Sequence, residues 1–140
     1  MVEDSLEQAE TIDRVQAVCG VSRANAALFC FSLDKTARSA KSWIAYAGLD
    51  VAVKESGTWR GHGKLTKRGP AWLRKRLFQA AWGAMMHFPP ARHYYDMLKT
   101  KGRKHKEAVI IIAKKLLSIM YAVIARQETF NPAKAFQIAA

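Results

Sequence analysis

Residues 105–127, HKEAVIIIAKKLLSIMYAVIARQ, carry apolar side chains at the three- and four-residue spacing of one helix face. An amphipathic helix of this kind buries its apolar face against other elements of the domain. The stretch therefore predicts a long last helix inside a helical core. Its expected buried positions are Val109, Ile112, Ala113, Leu116, Ile119, Met120, Val123 and Ile124.

Shorter helices are predicted before this one. Residues 5–17 and a segment capped by Ser22 form the first two, and a short helix over 42–46 stops at Gly48, which suits a helix C-terminus. A strong helix begins at Pro70, and Pro89 and Pro90 are expected to end it. Another is predicted over 91–101, closed by Gly102.

The chain has the size of one domain. Its 140 residues, half of them hydrophobic, suffice for a single core, so residues 1–129 are predicted to form one helical domain and residues 130–140 a tail. The expected fold class is mainly α: a compact multi-helix domain with a helix-hairpin-helix-like N-terminal part. A Gly-rich basic loop or a small β-hairpin is predicted before the third long helix.

Positive charge dominates the composition. Lys and Arg number 23 against 11 Asp and Glu, a formal net charge of +12, which places nucleic acid first among partners and an anionic membrane second. The N-terminus is acidic without an apolar signal segment, and no stretch has 18 uninterrupted apolar residues. We therefore expect a cytoplasmic protein with no membrane partner.

Residues 12–33 resemble a helix-hairpin-helix, in which a tight glycine turn presents backbone N–H groups to a DNA phosphate. Gly20 supplies the first glycine, and Ser22 stands where the second glycine is usual. We take Gly20 and Ser22 as candidate nucleic-acid contacts. The alternative is a pair of helices that serves only in packing, and these residues alone favour neither reading.

Residues 54–76, KESGTWRGHGKLTKRGPAWLRKR, form a glycine-rich run with eight basic side chains and one acid. Arg60, Lys64, Lys67 and Arg68 are candidate phosphate contacts, with Arg74 at the start of the following helix. A solvated charge run is the alternative. Ser56 is a candidate nucleophile because Gly57 leaves its hydroxyl uncrowded among cations, although a serine before a glycine is more often a turn residue.

A second basic patch precedes the last helix. We take Arg103 and Lys104 in this patch as candidate backbone-phosphate contacts, with an ordinary basic interhelical turn as the alternative. The four histidines and the sparse acids have no metal-ligand spacing, and Cys19 and Cys30 match neither a zinc motif nor CxxC. We expect no metal or cofactor in this chain.

Three blocks together point to a family: AKSWIAYAGLD at 40–50, KESGTWRGHGKLTKRGPAWLRKRLFQAAW at 54–82 and GRKHKEAVIIIAKKLLSIMYAVI at 102–124. In order and spacing they resemble the C-terminal domain of the insertion-sequence 110 family of transposases, grouped with its 116 and 902 relatives. The resemblance runs from about residue 12 to residue 125 and implies a DNA-binding and strand-exchange domain of a bacterial or archaeal, nucleoid-associated enzyme.

The resemblance also implies roles for single residues and partners. Ser56 matches the family serine that attacks a DNA phosphodiester, and the cations from Arg60 to Arg68 match the basic block that contacts DNA or a noncoding guide RNA. An RNase H-like N-terminal domain is expected to supply acidic ligands for a divalent metal, Mg²⁺, and the family acts as oligomers. No such acidic domain precedes residue 12, so the chain is predicted to be incomplete and inactive alone. The alternative function is a non-catalytic helical nucleic-acid-binding module.

Overall fold

The computed structural model describes residues 2–18, 21–33, 36–49, 51–52, 64–65 and 69–136, with backbone only at 2–5, 51–52 and 64–65. These residues form helices α1 (Val2–Gln16), α2 (Arg23–Ser32), α3 (Ala40–Ala47), α4 (Ala71–His87), α5 (Pro89–Thr100) and α6 (His105–Ile124). Between α3 and α4, strands β1 (Val51–Ala52) and β2 (Lys64–Leu65) pair antiparallel. The prediction of a mainly helical domain is confirmed, and the strand pair lies where the sequence predicts a basic loop or small hairpin.

Helix α6 forms the centre of the molecule and packs against α1, α3, α4 and α5. Of its eight expected core positions, six are buried, whereas Val109 and Ile119 are only partly buried. Leu117 and Tyr121 are buried as well, because neighbouring helices cover α6 on more sides than one apolar stripe predicts. Each fully buried leucine or isoleucine contributes about 1.5–3 kcal/mol of transfer free energy.

A buried tie joins α3 to α6. The Tyr121 hydroxyl donates to the backbone carbonyl of Ala37 over 2.8 Å, and the Tyr121 ring meets Trp43 edge to face with centroids 5.1 Å apart. Trp43 is among the largest fully buried side chains. The aromatic pair therefore holds α3 to α6, and the hydrogen bond holds the segment just before α3.

The junction of α4 and α5 differs from the prediction. Pro89 and Pro90 were expected only to end α4, with the next helix starting at residue 91, but α5 begins at Pro89. Phe88 closes α4 and also caps α5, since its carbonyl accepts the N–H groups of Ala91 and Arg92 at 3.0 and 3.2 Å. Proline has no N–H to lose in a first helical turn, so the two prolines suit the start of α5.

The end of α6 is also earlier than predicted, at Ile124 rather than residue 127. Gln127 adopts a positive φ of 57°, which an α-helix does not continue through. The chain then folds back, and Phe136 is buried against Phe88 and Tyr94, with ring centroids 6.3 and 5.8 Å away. Residues after α6 thus cover the junction of α4 and α5.

Candidate nucleic-acid interface

A short strand pair lies where the basic segment begins. Helix α3 ends at Gly48, whose φ of 73° turns the chain toward β1. In the strand pair Val51 lies opposite Leu65 and Ala52 opposite Lys64. Residues 53–63, which include Ser56 and Arg60, stand between the two strands in the sequence.

Gly69 fixes the return of the chain into α4. Its φ is 77°, and a methyl group on its Cα would collide with the backbone carbonyl oxygen of Tyr46. Only glycine tolerates both the positive φ and this approach to the last turn of α3. The start of α4 is thus pressed against the end of α3.

Arg74 reinforces the same closure. Its guanidinium Nη1 donates to the carbonyl of Gly69 at 3.2 Å and, over a longer 3.5 Å, to that of Ala47. The side chain is half-buried, and its guanidinium holds these two carbonyls near each other. The structure therefore places this predicted contact residue at the base of the basic segment, with a structural role of its own.

The other predicted residues of the basic segment lie outside the described residues: Ser56, Arg60, Lys67 and Arg68. Lys64 is described only by its backbone, in β2. Gly20, in the predicted hairpin turn, is also outside the described part. Their assignments remain predictions from the sequence and the resemblance.

Ser22 caps α2, as predicted. Its hydroxyl accepts the backbone N–H of Asn25 at 3.2 Å, and its side chain is exposed. The adjacent Arg23 pairs with Asp13 of α1 at 2.6 Å, which ties the first two helices together on the surface. Ser22 thus has an explained capping role, and its exposed position leaves the phosphate-contact prediction open to experiment.

Helix α4 also reaches α2 through a polar contact. Asn25, which is buried, accepts a long hydrogen bond from Arg76 Nη1 at 3.4 Å. The three successive cations of α4 therefore diverge: Arg74 turns to the base of the loop, Arg76 to α2, and Lys75 to the outer surface.

Arg103 and Lys104 are exposed in the connection from α5 to α6. The Glu107 carboxylate accepts the backbone N–H of Lys104 at 3.4 Å and lies 4.0 Å from the Arg103 guanidinium. An exposed ion pair of this length contributes only about 0–1 kcal/mol. A phosphate can therefore compete with Glu107 for Arg103. This geometry is compatible with the predicted contact between Arg103 and a backbone phosphate.

Sequence reasoning missed Trp82 and His105. The Trp82 ring lies edge-on to His105 at 5.8 Å between centroids, and His105 Nδ1 is 2.8 Å from the Tyr95 hydroxyl. These three residues come from α4, α6 and α5. Helical spacing could have found Trp82, because it falls opposite the buried stripe of α4 formed by Leu73, Leu77, Ala80, Ala81 and Ala84.

Among the residues that the structure describes, no three His, Cys, Asp or Glu side chains come close enough together to hold a metal ion. Nor is any helix of that part long and apolar enough to cross a membrane.

Comparison with known proteins gives a consistent result. The family model described as Transposase IS116/IS110/IS902 family matches residues 12–96. An uncharacterized 43.6 kDa protein of insertion element IS110 from Streptomyces coelicolor is 34% identical over 87 residues, which are 61% of this chain and 21% of that protein. A pilin gene-inverting protein of Moraxella lacunata is 31% identical over 96 residues, 67% of this chain and 30% of that protein. The matched part thus spans less than a third of these relatives.

Proposed function

Because this chain belongs to the IS116/IS110/IS902 family of transposases, we propose that it is the DNA-binding and strand-exchange domain of an insertion-sequence transposase. The observation that carries the proposal is the family match over residues 12–96, a range that includes Ser56 and the whole basic segment. The Moraxella relative is named for inverting a pilin gene, which is a rearrangement of DNA. A net charge of +12 suits the same substrate.

In the proposed reaction, Ser56 Oγ attacks the phosphorus of a DNA phosphodiester. An Oγ–P bond forms and one P–O bond to deoxyribose breaks, while the serine proton leaves to a base and the departing oxygen takes up a proton. The phosphoester is retained, so attack by another deoxyribose hydroxyl can release the serine and join the new strand. Arg60, Lys64, Lys67 and Arg68 stabilise the charge on the phosphoryl oxygens.

Further cations of the described part would hold the strand. Arg74 lies in the first turns of α4, and Arg103 and Lys104 are exposed on the connection before α6. Gly20 and Ser22 would add a further phosphate contact before α2.

Further partners follow from the family resemblance. An RNase H-like N-terminal domain would bind Mg²⁺ through its acids, and the metal would supply activation of the reacting oxygens. A noncoding RNA would direct the choice of target, and two or more copies of the protein would hold the exchanging DNA ends. The expected location is the bacterial cytoplasm, on the nucleoid.

The dependence of DNA affinity on salt concentration tests whether the chain binds DNA through phosphate contacts. The affinity of the 140-residue chain for a labelled 30-base-pair duplex can be measured by fluorescence anisotropy between about 50 and 200 mM salt. We expect the logarithm of the association constant to fall linearly with the logarithm of the salt concentration, with a slope of about −0.9 per phosphate contacted. Replacing Lys67 and Arg68 by Gln should make the slope shallower by about two contacts.

The matched control replaces Arg126 and Lys134, exposed cations beyond α6, by Gln and removes the same charge elsewhere. It should change the slope far less than the loop variant. Equal effects of the two double variants would show that the cations of the basic segment contribute no more to DNA binding than other cations on the surface. Absence of DNA binding at low salt would refute the proposed function.

A further inference from the structure

A groove runs along the outer face of α4 and has a volume of about 720 Å³. Its walls include Arg74, Lys75, Phe78, Gln79, Trp82 and Gly83. All of these lining residues belong to α4, so the groove is an open surface depression rather than an enclosed pocket.

Trp82 is the principal aromatic wall of the groove. Its side chain is 51% exposed, although tryptophan is usually more deeply buried. The Trp82 and His105 rings are nearly perpendicular, with centroids 5.8 Å apart, and His105 Nδ1 lies 2.8 Å from the Tyr95 hydroxyl. Arg92 lies over the Tyr95 ring, with its guanidinium carbon 5.4 Å from the centroid. A half-exposed indole that contacts a neighbouring ring offers a stacking surface.

The charged residues around the groove indicate which class of ligand it binds. Helix α4 contains Arg74, Lys75 and Arg76 but no Asp or Glu, and Lys104 and Lys106 flank His105 beside Trp82. An anionic ligand with a flat ring satisfies both the cations and the indole.

We propose that the α4 groove binds single-stranded DNA, with an unpaired base stacked on Trp82 and an adjoining phosphate on Lys75. The inference rests on the proposed DNA-binding function and adds a site for a strand opened during exchange. Bases inside a duplex have no free face, whereas stacking of an unpaired base on an aromatic ring tolerates any sequence. The site therefore distinguishes single-stranded from double-stranded DNA but does not recognise a particular base sequence.

Binding of two labelled 12-nucleotide strands, oligo(dT) and a strand of abasic sugar-phosphates, separates stacking from charge. Trp82→Ala should weaken oligo(dT) binding about tenfold and leave abasic binding unchanged. Trp82→Phe should retain most of the affinity for oligo(dT). Lys75→Gln should weaken both strands, because both carry phosphates, and Lys99→Gln on the exposed end of α5 controls for its charge.

Trp72→Ala is the matched control for the indole, since Trp72 is 41% exposed on the same helix and does not line the groove. It should leave oligo(dT) binding unchanged, and far-ultraviolet circular dichroism confirms that each variant is folded. An unchanged affinity of Trp82→Ala for oligo(dT), or equal losses on the abasic strand and on a blunt duplex, would overturn the inference. Tighter, Trp82-dependent binding of oligo(U) RNA would overturn the assignment to DNA.

The two proposals fail in different ways. If the wild-type chain binds duplex DNA with the expected salt dependence but Trp82→Ala binds every strand normally, only the groove assignment fails. If the wild-type chain binds neither duplex nor single strands at low salt, the proposed DNA-binding function fails with it.

Discussion

Gly69 shows how a single residue shapes the candidate site. The chain at residue 69 can approach the end of α3 only because Gly69 lacks a side chain at a φ of 77° and against the Tyr46 carbonyl. Gly102 has a comparable φ of 91°, but among the described residues no heavy atom other than those of its chain neighbours lies within 4 Å of the position that a Cβ would occupy. The two glycines therefore separate the cost of backbone strain from the cost of a collision.

Gly69→Ala should lower the free energy of unfolding more than Gly102→Ala does. The left-handed backbone costs each variant about 1–2 kcal/mol. The collision with Tyr46 adds about 1–3 kcal/mol to Gly69→Ala alone. Urea unfolding followed by circular dichroism measures both values, and equal destabilisation would show that the contact with Tyr46 is not tight in solution.

Substitutions of Ser22 test the predicted hairpin turn, again through a single residue. Ser22→Ala removes the cap of α2 and should lower the free energy of unfolding by about 0.5–2 kcal/mol, whereas Ser22→Gly should cost only a few tenths. Because Ser22→Gly also restores the usual hairpin glycine, it should bind duplex DNA at least as tightly as the wild type if this turn contacts a phosphate. Weaker DNA binding by Ser22→Gly, with stability retained, would argue against a backbone contact at this turn.

At the scale of elements, Tyr121 of α6 contacts α3 through its ring and the segment before α3 through its hydroxyl. Tyr121→Phe keeps the ring against Trp43 but removes the 2.8 Å hydrogen bond to Ala37, and should cost about 0.5–1.5 kcal/mol. Tyr95→Phe removes a hydrogen bond of the same length to His105 at the surface and should cost less, since water replaces it. Thermal unfolding compares the two, and an equal loss would mean that the α3 tie is no stronger than a surface contact.

Helix bodies were predictable from the sequence, but their ends and their surroundings were less so. The spacing of Ile112, Leu116 and Met120 indicated α6 correctly because a helix repeats every 3.6 residues. The reuse of Phe88 as a cap for two helices, and the positive φ of Gln127, depend on packing that no local pattern contains. The burial of Leu117 likewise reflects how many helices surround α6.

At the scale of the whole molecule, the charge distribution predicted a basic segment, and the resemblance supplied the role of Ser56. The sequence did not predict that Gly69 would meet Tyr46, since that contact joins two helices across the basic segment. Trp72 is 41% exposed, because neighbouring helices cover only the stripe through Leu73 and Leu77. The contact of Trp82 with His105 joins α4 to α6 and could not be read from either helix alone.

The central claim is that Ser56 becomes covalently joined to DNA. Its most direct measurement is peptide mapping by mass spectrometry of the chain, joined to its RNase H-like domain and supplied with Mg²⁺, element-end DNA and the noncoding RNA. Trypsin should release residues 55–60, ESGTWR, with a nucleotide remnant. We expect the adduct in the wild type and in Thr58→Ala, the control within the same peptide, and none in Ser56→Ala. An adduct that survives in Ser56→Ala, or that maps to another peptide, would contradict the account.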